Sequence, residues 1–251
     1  MVLVYHVTNE DEAGLVDVCT GLVRGRVPVL LVVSPGVRRE RWPLGCEVVR
    51  AEVPVNGVAG ARGLLAVAAG LGADECVCFV GCDTVVRPCA AFAEFCGAGA
   101  RFVEYGGFLE AGHWLWCVRG GVAAGLLRVL DERCPRGAGL AGLVRGESDC
   151  VDGSAGLSAA GVVGRLCALL PGVGCTAVDF VCARLPWVHV WGVRDFGCPP
   201  EVDGRCFAVW CGEPGMVRGY VSARGAVRRA MEGAMGMYKV VGERGDSFGV
   251  Q

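Results

Sequence analysis

The 251-residue sequence contains no isoleucine and a single lysine, Lys239. Residue usage is instead concentrated in valine, alanine, glycine, arginine and cysteine. Such a skew is more typical of nucleotide bias in the coding sequence than of a structural requirement. Valine and cysteine therefore serve as default apolar residues, so the choice between similar residue types carries little information.

Long apolar runs and a targeting signal are also missing. No stretch of about 18 or more uninterrupted apolar residues occurs, which argues against a membrane-spanning helix. The first residues, MVLVYHVTNEDE, lack the basic start, apolar middle and small-residue cleavage site of a signal peptide, so the expected location is cytoplasmic. The formal net charge of -2 gives no bulk attraction to nucleic acid or to an anionic membrane.

The 16 cysteines include no C-x-x-C pair, so the spacing that is typical of zinc ribbons is absent. Disulfides are not expected either, because nothing in the sequence indicates secretion. Cys76 and Cys78 alternate on a predicted strand and Cys82 follows it, which leaves a metal or redox cluster open there. Burial as small apolar side chains is the favoured interpretation, since free cysteine is among the most buried residue types.

Apolar runs alternate with helical patterns in the first half of the chain. The predicted strands are residues 2–7, 27–33, 47–53 and 75–80, and the predicted helices are residues 12–23 and 57–71. Continuous apolar strands that alternate with helices indicate an α/β fold, in which a mostly parallel sheet is covered on both faces. Apolar residues make up 53% of the chain, enough for a sizeable core.

The second half is less regular. Its predicted strands are residues 102–105, 113–118, 178–183 and 188–193, and its predicted helices are residues 121–130, 151–170 and 222–237. Residues 133–146 are glycine-rich and are predicted to form a loop with a short helix. Neither an internal repeat nor a clear linker is present, so the sequence predicts one domain that spans residues 1–251.

Polar residues follow three of the predicted strands. Thr8 and Asn9 come after the first strand, Ser34 after the second, and Asp83 with Thr84 after the fourth. Ligands of open α/β sheets bind outside the carboxyl ends of the strands, where neighbouring parallel strands bring such residues together. Asp83 inside the strand would be a costly unpaired charge, so its place at the rim favours contact with water or ligand. Thr8 or Asn9 also suits the N-cap of the following helix.

The order of these elements resembles that of the glycosyltransferases of the GT-A fold, whose fourth strand ends in Asp-x-Asp followed by Thr or Ser. The matching segments are ARG at 61–63, CVCFV at 76–80, GCDT at 81–84 and RP at 87–88. The later segment GGFLEAGHWLWCVR is similar to the second core segment of that family, on the acceptor side. The resemblance is strongest over residues 2–121 and implies a Rossmann-like three-layer α/β/α architecture with a mostly parallel central sheet. Residues 1–120 would bind the nucleotide sugar, and residues 121–251 would bind the acceptor and end in a C-terminal helix.

The resemblance implies transfer of a sugar from a nucleotide-diphospho-sugar, with a UDP-sugar favoured, to an acceptor hydroxyl. In that family the Asp-x-Asp carboxylates hold Mn²⁺ or Mg²⁺, which neutralises the charge on the leaving diphosphate. Gly81 stands at the first Asp position here, and Asp83 alone remains. Three alternatives stay open: Asp83 binds the metal with help from another residue, basic residues replace the metal, or catalysis has been lost.

Two further roles follow from the resemblance. His189, within WVHVW, is a candidate metal ligand, and the alternative is a histidine that packs in a plain strand. Asp149 is the candidate general base of an inverting reaction, with Glu147 and Asp152 as alternates, although helix capping would equally explain the ESD segment.

The donor contacts are assigned to the remaining polar residues. Thr8 and Asn9 are candidates for the base and the ribose, Arg62 for the diphosphate or ribose, and Ser34 and Thr84 for the rest of the donor pocket. A solvated helix face is the alternative for Arg62.

The acceptor side is less defined. His113 and the tryptophans Trp114 and Trp116 could contact the acceptor, or the tryptophans could pack in the core, while His6 is interpreted as structural. The acceptor itself stays open among a glycan, a small molecule, a protein and a modified nucleic acid.

Two other classes of function compete with the transferase. A catalytically degenerate GT-A domain would act as a binding module, and the missing first Asp favours it. A nucleotidyltransferase would need a basic, glycine-rich loop after the first strand, which HVTNEDEAG lacks.

Overall fold

The computed structural model describes residues 1–21, 23, 25–86, 89–97, 99–104, 115–133, 158–169, 178–182, 188–190 and 208–210. Its strands are β1 Val2–Val7, β2 Val29–Val33, β3 Cys46–Arg50, β4 Cys76–Val80, β5 Thr84–Val86, β6 Ala100–Glu104, β7 Leu115–Arg119, β8 Val178–Cys182, β9 Val188–Val190 and β10 Ala208–Trp210. Its helices are α1 Glu10–Thr20, α2 Gly57–Gly70, α3 Ala90–Cys96, α4 Gly120–Arg133 and α5 Ala159–Leu169.

Seven of these strands form the central sheet in the order β3-β2-β1-β4-β7-β6-β8. β7 runs antiparallel to both of its neighbours, and every other neighbouring pair is parallel. A second sheet of three strands has the order β5-β10-β9. The predicted α/β class with a mostly parallel sheet is confirmed.

Helices cover both faces of the central sheet. Along β1, Leu3 and Tyr5 face the layer that contains α1 and α3, whereas Val4 faces the layer of α2, α4 and α5. The alternation follows from the two-residue period of a strand, and it explains why the strands are apolar without interruption: neither face is left to water. The predicted three-layer architecture is confirmed.

The edges of the predicted elements shift by a few residues. α1 begins at Glu10 rather than at residue 12, because Asn9 is its N-cap and its side-chain oxygen accepts a hydrogen bond from the backbone N–H of Glu12. β3 ends at Arg50, and its mostly exposed side chains suit a strand at the edge of the sheet. The short elements α3, β5 and β10 were not predicted, since three to seven residues carry too little periodicity.

Several predictions fall on residues outside the described ones: the glycine-rich loop from residue 134 onward, the start of the helix at 151–170 and the C-terminal helix at 222–237. Arg133, where that loop was predicted to begin, is the last residue of α4. β8 from the second half pairs with β6 from the first, so both halves contribute strands to the central sheet. The assignment of residues 1–120 to the nucleotide sugar and of residues 121–251 to the acceptor stays a prediction. No helix among the described residues is long and apolar enough to cross a membrane.

A close backbone contact shapes the layer of α2. The segment between β3 and α2 lies directly on the helix at Gly60, where a Cβ would overlap the carbonyl oxygen of Pro54 and lie 3.2 Å from its carbonyl carbon. The segment continues to Asn56, which forms a β-bridge with Ser158 just before α5. Gly60 therefore lets the backbone of Pro54 and Val55 lie directly on α2, beside the start of α5.

Candidate functional site

A cavity of about 340 Å³ lies at the carboxyl ends of β1 and β4. β2 and β3 extend the sheet on one side of β1, while β4 pairs on the other side, so β1 and β4 flank a topological switch point. Open α/β sheets bind ligands at such a point, in the crevice outside the carboxyl ends of the strands. The cavity is lined by Val4, His6, Thr8, Asn9, Asp11, Glu12, Leu15, Val55, Leu64, Phe79, Val80, Gly81, Cys82, Asp83, Trp116, Ser158, Ala159 and Ala160.

The end of β1 and the first turn of α1 form one rigid rim of the cavity. The backbone N–H and the Oγ1 hydroxyl of Thr8 donate to Glu12 Oε2, at 2.6 and 2.9 Å. The backbone N–H of Glu12 donates to Asn9 Oδ1 at 2.9 Å. This reciprocal arrangement satisfies orphan donors at the helix start, as in a capping box. The prediction that Thr8 or Asn9 caps the helix is confirmed for Asn9. Both residues line the cavity, and their contact with a nucleotide stays a prediction.

Asp83 lies on the opposite rim, in the turn between β4 and β5. The turn is closed by the backbone N–H of Thr84, which donates to the carbonyl of Gly81 at 3.0 Å. The buried Thr84 hydroxyl donates to Asp83 Oδ1 at 3.2 Å and so helps to orient the half-buried carboxylate. The structure thus places Asp83 on the cavity, with Thr84 beside it.

The cavity is electronegative. Asp11, Glu12 and Asp83 contribute carboxylates, and among the described residues that line it none is arginine or lysine. Burial, the neighbouring Cys19 and then the carboxylates of Glu12 and Asp83 raise the pKa of Cys82, so its thiol stays protonated. A ligand with negative charge would meet repulsion here unless a cation came with it.

His6 is a cavity residue that the sequence analysis assigned to structure alone. Its Nε2 atom is buried and has no hydrogen-bond partner among the described residues. Burial lowers the pKa of His6, and a hydrogen bond to the backbone of Val53 opposes that shift only partly, so the ring is neutral near pH 7. The signal that could have revealed it is strand alternation, since His6 shares a face of β1 with Val4 and Thr8.

Asp11, Glu12 and Ser158 were also not assigned to the site. The two acids lie in the first turn of α1, where negative charge stabilises the helix against its macrodipole. Ser158 comes from a distant part of the sequence, and its bridge to Asn56, together with the hydrogen bond from Ala159 to Val55, brings it to the cavity.

Two predicted donor contacts do not line the cavity. Ser34 follows β2, where its backbone N–H donates to the carbonyl of Val7 at 2.9 Å. The guanidinium of Arg62 donates from Nε to Asp131 Oδ1 at 2.7 Å and thereby joins α2 to α4. Their binding of a nucleotide stays a prediction, and the ion pair gives Arg62 a structural role.

His189 lies in β9, two strands away from β5. It is paired with Val209 of β10, which is paired with Val85 of β5. Because neighbouring strands are separated by about 4.8 Å, the backbone of His189 lies roughly 9.6 Å from that of Val85. Its role as a metal ligand stays a prediction.

The predicted general base Asp149, its alternates Glu147 and Asp152, and the acceptor candidates His113 and Trp114 lie outside the described residues. Their assigned roles therefore remain predictions.

Trp116 packs in the core. It is 1% exposed and stacks on Phe79 and Phe102, with ring centroids 4.3 and 5.7 Å apart. It reaches the cavity as part of an apolar wall, so the interpretation as core packing is the one that fits.

The positions of the cavity residues show whether they could hold a divalent cation. Among the described residues, no group of three His, Cys, Asp or Glu ligand atoms within 4.8 Å of one another includes Asp83. A closed, all-protein cage is therefore absent from the described part of the cavity. Asp83 fits the other common arrangement, in which one or two carboxylates hold Mg²⁺ together with phosphate oxygens and water.

No protein-family model matches the sequence, and no curated protein matches it significantly. Among solved structures, the galactosyltransferase LgtC in complex with donor and acceptor sugar analogues is similar at 7% identity and a TM-score of 0.49, covering 90% of this chain and 96% of that chain. An active-site mutant of LgtC is similar at 9% identity and a TM-score of 0.46, with the same coverage. Similarity at this level carries no inference about activity.

Proposed function

We propose that the protein is a glycosyltransferase that moves a sugar from a nucleotide-diphospho-sugar, with a UDP-sugar favoured, to an acceptor hydroxyl. The observation that carries the proposal is the cavity at the switch point, where Thr8, Asn9 and Asp83 meet from two strands. Its volume of about 340 Å³ falls within the range of roughly 300–1,000 Å³ that is usual for small-molecule sites.

The charge of the cavity favours a metal-dependent donor site over one that relies on basic residues. Asp11, Glu12 and Asp83 face a ligand whose diphosphate is itself anionic. Two like unit charges 4 Å apart repel by about 4 kcal/mol at an effective dielectric constant of about 20. Mn²⁺ or Mg²⁺ on Asp83 and the diphosphate oxygens would remove that repulsion and supply charge stabilisation to the leaving nucleotide.

The other residues have roles that suit their hydrogen-bonding state. Asn9 Oδ1 is engaged in the helix cap and its amide nitrogen donates to Thr8 Oγ1 at 3.3 Å, which leaves the second amide N–H to contact the base or the ribose. The neutral ring of His6 offers a further hydrogen-bonding position at the cavity wall. Deprotonation of the acceptor hydroxyl is assigned to Asp149 or Glu147, as the sequence predicts, and the acceptor stays open among the four classes named above.

The test is nucleotide binding with and without metal, in a matched pair of variants. UDP and GDP are titrated in the presence and absence of Mn²⁺, and thermal stabilisation is recorded for the wild type, Asp83→Asn and Asp74→Asn. Asp74 is the control because it is an exposed carboxylate just before β4, at the edge of the sheet opposite the cavity.

We expect UDP with Mn²⁺ to stabilise the wild type by about 2.7 kcal/mol at a ligand concentration of about 100 times Kd. Asp83→Asn loses the metal-dependent part of this stabilisation, whereas Asp74→Asn keeps it. Equal stabilisation without metal would contradict the assignment of Asp83, and no response to any nucleotide would contradict the function.

A binding module without catalysis is the second candidate. It is favoured by the lack of a three-ligand metal group at Asp83 among the described residues. Hydrolysis of the UDP-sugar distinguishes the two: metal-dependent binding with no measurable turnover, with and without candidate acceptors, would favour the module.

A further inference from the structure

Three buried cysteines from separate elements meet at the edge of the sheet opposite the cavity. Cys76 begins β4, Cys117 lies in β7 and Cys96 ends α3. Their Sγ atoms all lie within 4.8 Å of one another, and the three residues are 8%, 0% and 4% exposed, respectively. Among the described residues, no other group of three potential metal ligands lies this close together.

We propose that Cys76, Cys96 and Cys117 bind a soft closed-shell metal ion, Cu(I) or Zn(II), at a structural site separate from the nucleotide cavity. Thiolates are soft ligands, and they select these ions over the hard Mg²⁺ and Mn²⁺ that carboxylates and phosphates bind. The protein would then hold two metals of opposite chemical character at opposite edges of one sheet.

The spacing of the sulfur atoms fits an ion at their centre. With metal–sulfur bonds of about 2.3 Å, three thiolates in a plane around the ion lie about 4.0 Å apart. The upper limit of 4.8 Å on their separations therefore requires the sulfurs to close in by under about 1 Å. The antiparallel register supports the contact, because Cys78 pairs directly with Cys117 and places Cys76 diagonally from it on the same face.

The charges around the group also suit bound thiolates. Three thiolates around Cu(I) carry a net charge of -2, which is costly in an apolar interior unless cations lie near. The positive charges of the Met1 amino group and of Arg119 act on Cys76, and because Met1 is also ion-paired with Glu75, Arg119 is the main cation beside the group. Arg119 also donates to the carbonyl of Gly97, the residue after Cys96, at 3.2 Å. The slight exposure of Cys76 gives the ion a path from the surface.

Whether Cys78 is needed for binding distinguishes Zn(II) from Cu(I). It lies on the same face of β4 as Cys76, and its thiol is hydrogen-bonded to that of Cys96. It does not lie within 4.8 Å of all three other sulfurs. Cu(I) is satisfied by three thiolates, whereas structural Zn(II) requires four ligands. A requirement for Cys78 therefore identifies zinc, and independence from it identifies copper.

The test uses the full chain, reduced and without oxygen. Cu(I) is offered as its complex with a chromophoric chelator, and Zn(II) is offered as the chloride in competition with a second chelator. Metal content and affinity are measured for the wild type, Cys96→Ala, Cys78→Ala and Cys89→Ala. Cys89 is the matched control, since it lies at the N-cap of the same helix α3 and outside the three-cysteine group.

We expect one equivalent of one of the ions to bind the wild type and Cys89→Ala alike. Cys96→Ala should lose more than about 100-fold in affinity, beyond the 10- to 100-fold that changes around a metal site typically cause. Thermal stabilisation by the metal should disappear in the same variant. The proposal is overturned if the wild type binds neither ion, or if Cys96→Ala binds like Cys89→Ala. A misfolded Cys96→Ala is recognised by its thermal transition, and the wild-type metal content then decides the outcome.

Discussion

Alanine at Gly60 tests whether the backbone contact on α2 supports the cavity. A Cβ at this position overlaps the carbonyl oxygen of Pro54 and lies 3.2 and 3.3 Å from the carbonyl carbons of Pro54 and Val55. All three atoms belong to the backbone, so relief requires the segment to move. Val55 lines the cavity, and its carbonyl accepts a hydrogen bond from Ala159 at 3.4 Å. Movement of the segment would therefore be transmitted to the start of α5.

The expected change in the free energy of unfolding follows from comparison with Gly70. This glycine is the last residue of the same helix, and a Cβ there would have no atom within 4 Å. Alanine in place of glycine stabilises a helix by about 0.5–1 kcal/mol, so Gly70→Ala should gain up to that amount. At Gly60 the same gain is offset by an overpacking cost of about 1–3 kcal/mol. The net expectation for Gly60→Ala is a loss centred on about 1 kcal/mol and no larger than about 2.5 kcal/mol.

The assay is urea unfolding of both variants, followed by titration of UDP with Mn²⁺ under native conditions. The difference between the two free energies of unfolding measures the overlap, because the helix-propensity gain is largely common to both. We also expect Gly60→Ala to bind the nucleotide more weakly, whereas Gly70→Ala should bind like the wild type. Equal stabilisation by both substitutions would refute the close contact, and unchanged nucleotide affinity in a destabilised Gly60→Ala would refute its link to the cavity.

The two remaining predictions concern the rim of the cavity. His6 has a lowered pKa in the folded protein, so its contribution to the free energy of unfolding is fully present above pH 6.5, its ordinary pKa, and is lost as the pH falls toward the folded value. The slope attributable to it reaches at most about 1.4 kcal/mol per pH unit, and His6→Gln should flatten the part of a urea series that lies below pH 6.5. An unchanged slope there would count against a buried neutral ring. Glu12→Gln should lower the free energy of unfolding by about 1 kcal/mol more than Asp11→Asn, because only Glu12 accepts the two hydrogen bonds from Thr8. Equal losses in these two variants would mean that the helix macrodipole alone accounts for the effect.

The strands could be predicted from the sequence because the pattern that identifies a strand is local. Residues 29–33 and 76–80 are buried throughout, and uninterrupted apolar runs are what burial on both faces demands. The capping role of Asn9 was readable for the same reason, since the cap and its partner lie three residues apart.

The candidate site could be predicted only in part from the sequence. Thr8, Asn9 and Asp83 were found because they follow strands, and the carboxyl ends of parallel strands share an edge. Arg62 was assigned to the nucleotide, yet its guanidinium pairs with Asp131, which lies 69 residues away in sequence. Nothing in the sequence near Arg62 indicates that partner.

The sequence by itself determined which segments are buried and which polar residues lie at their ends. Both features depend on side chains that are close neighbours in the chain, within one or two turns of a helix or within one or two strands. Tertiary structure alone decided which of those residues meet. It brought Ser158 to the cavity through its bridge to Asn56, and it gathered Cys76, Cys96 and Cys117 although no C-x-x-C spacing links them. Such contacts depend on the order of strands in the sheet and on how helices pack across it. That order cannot be inferred from residues that lie far apart in the chain.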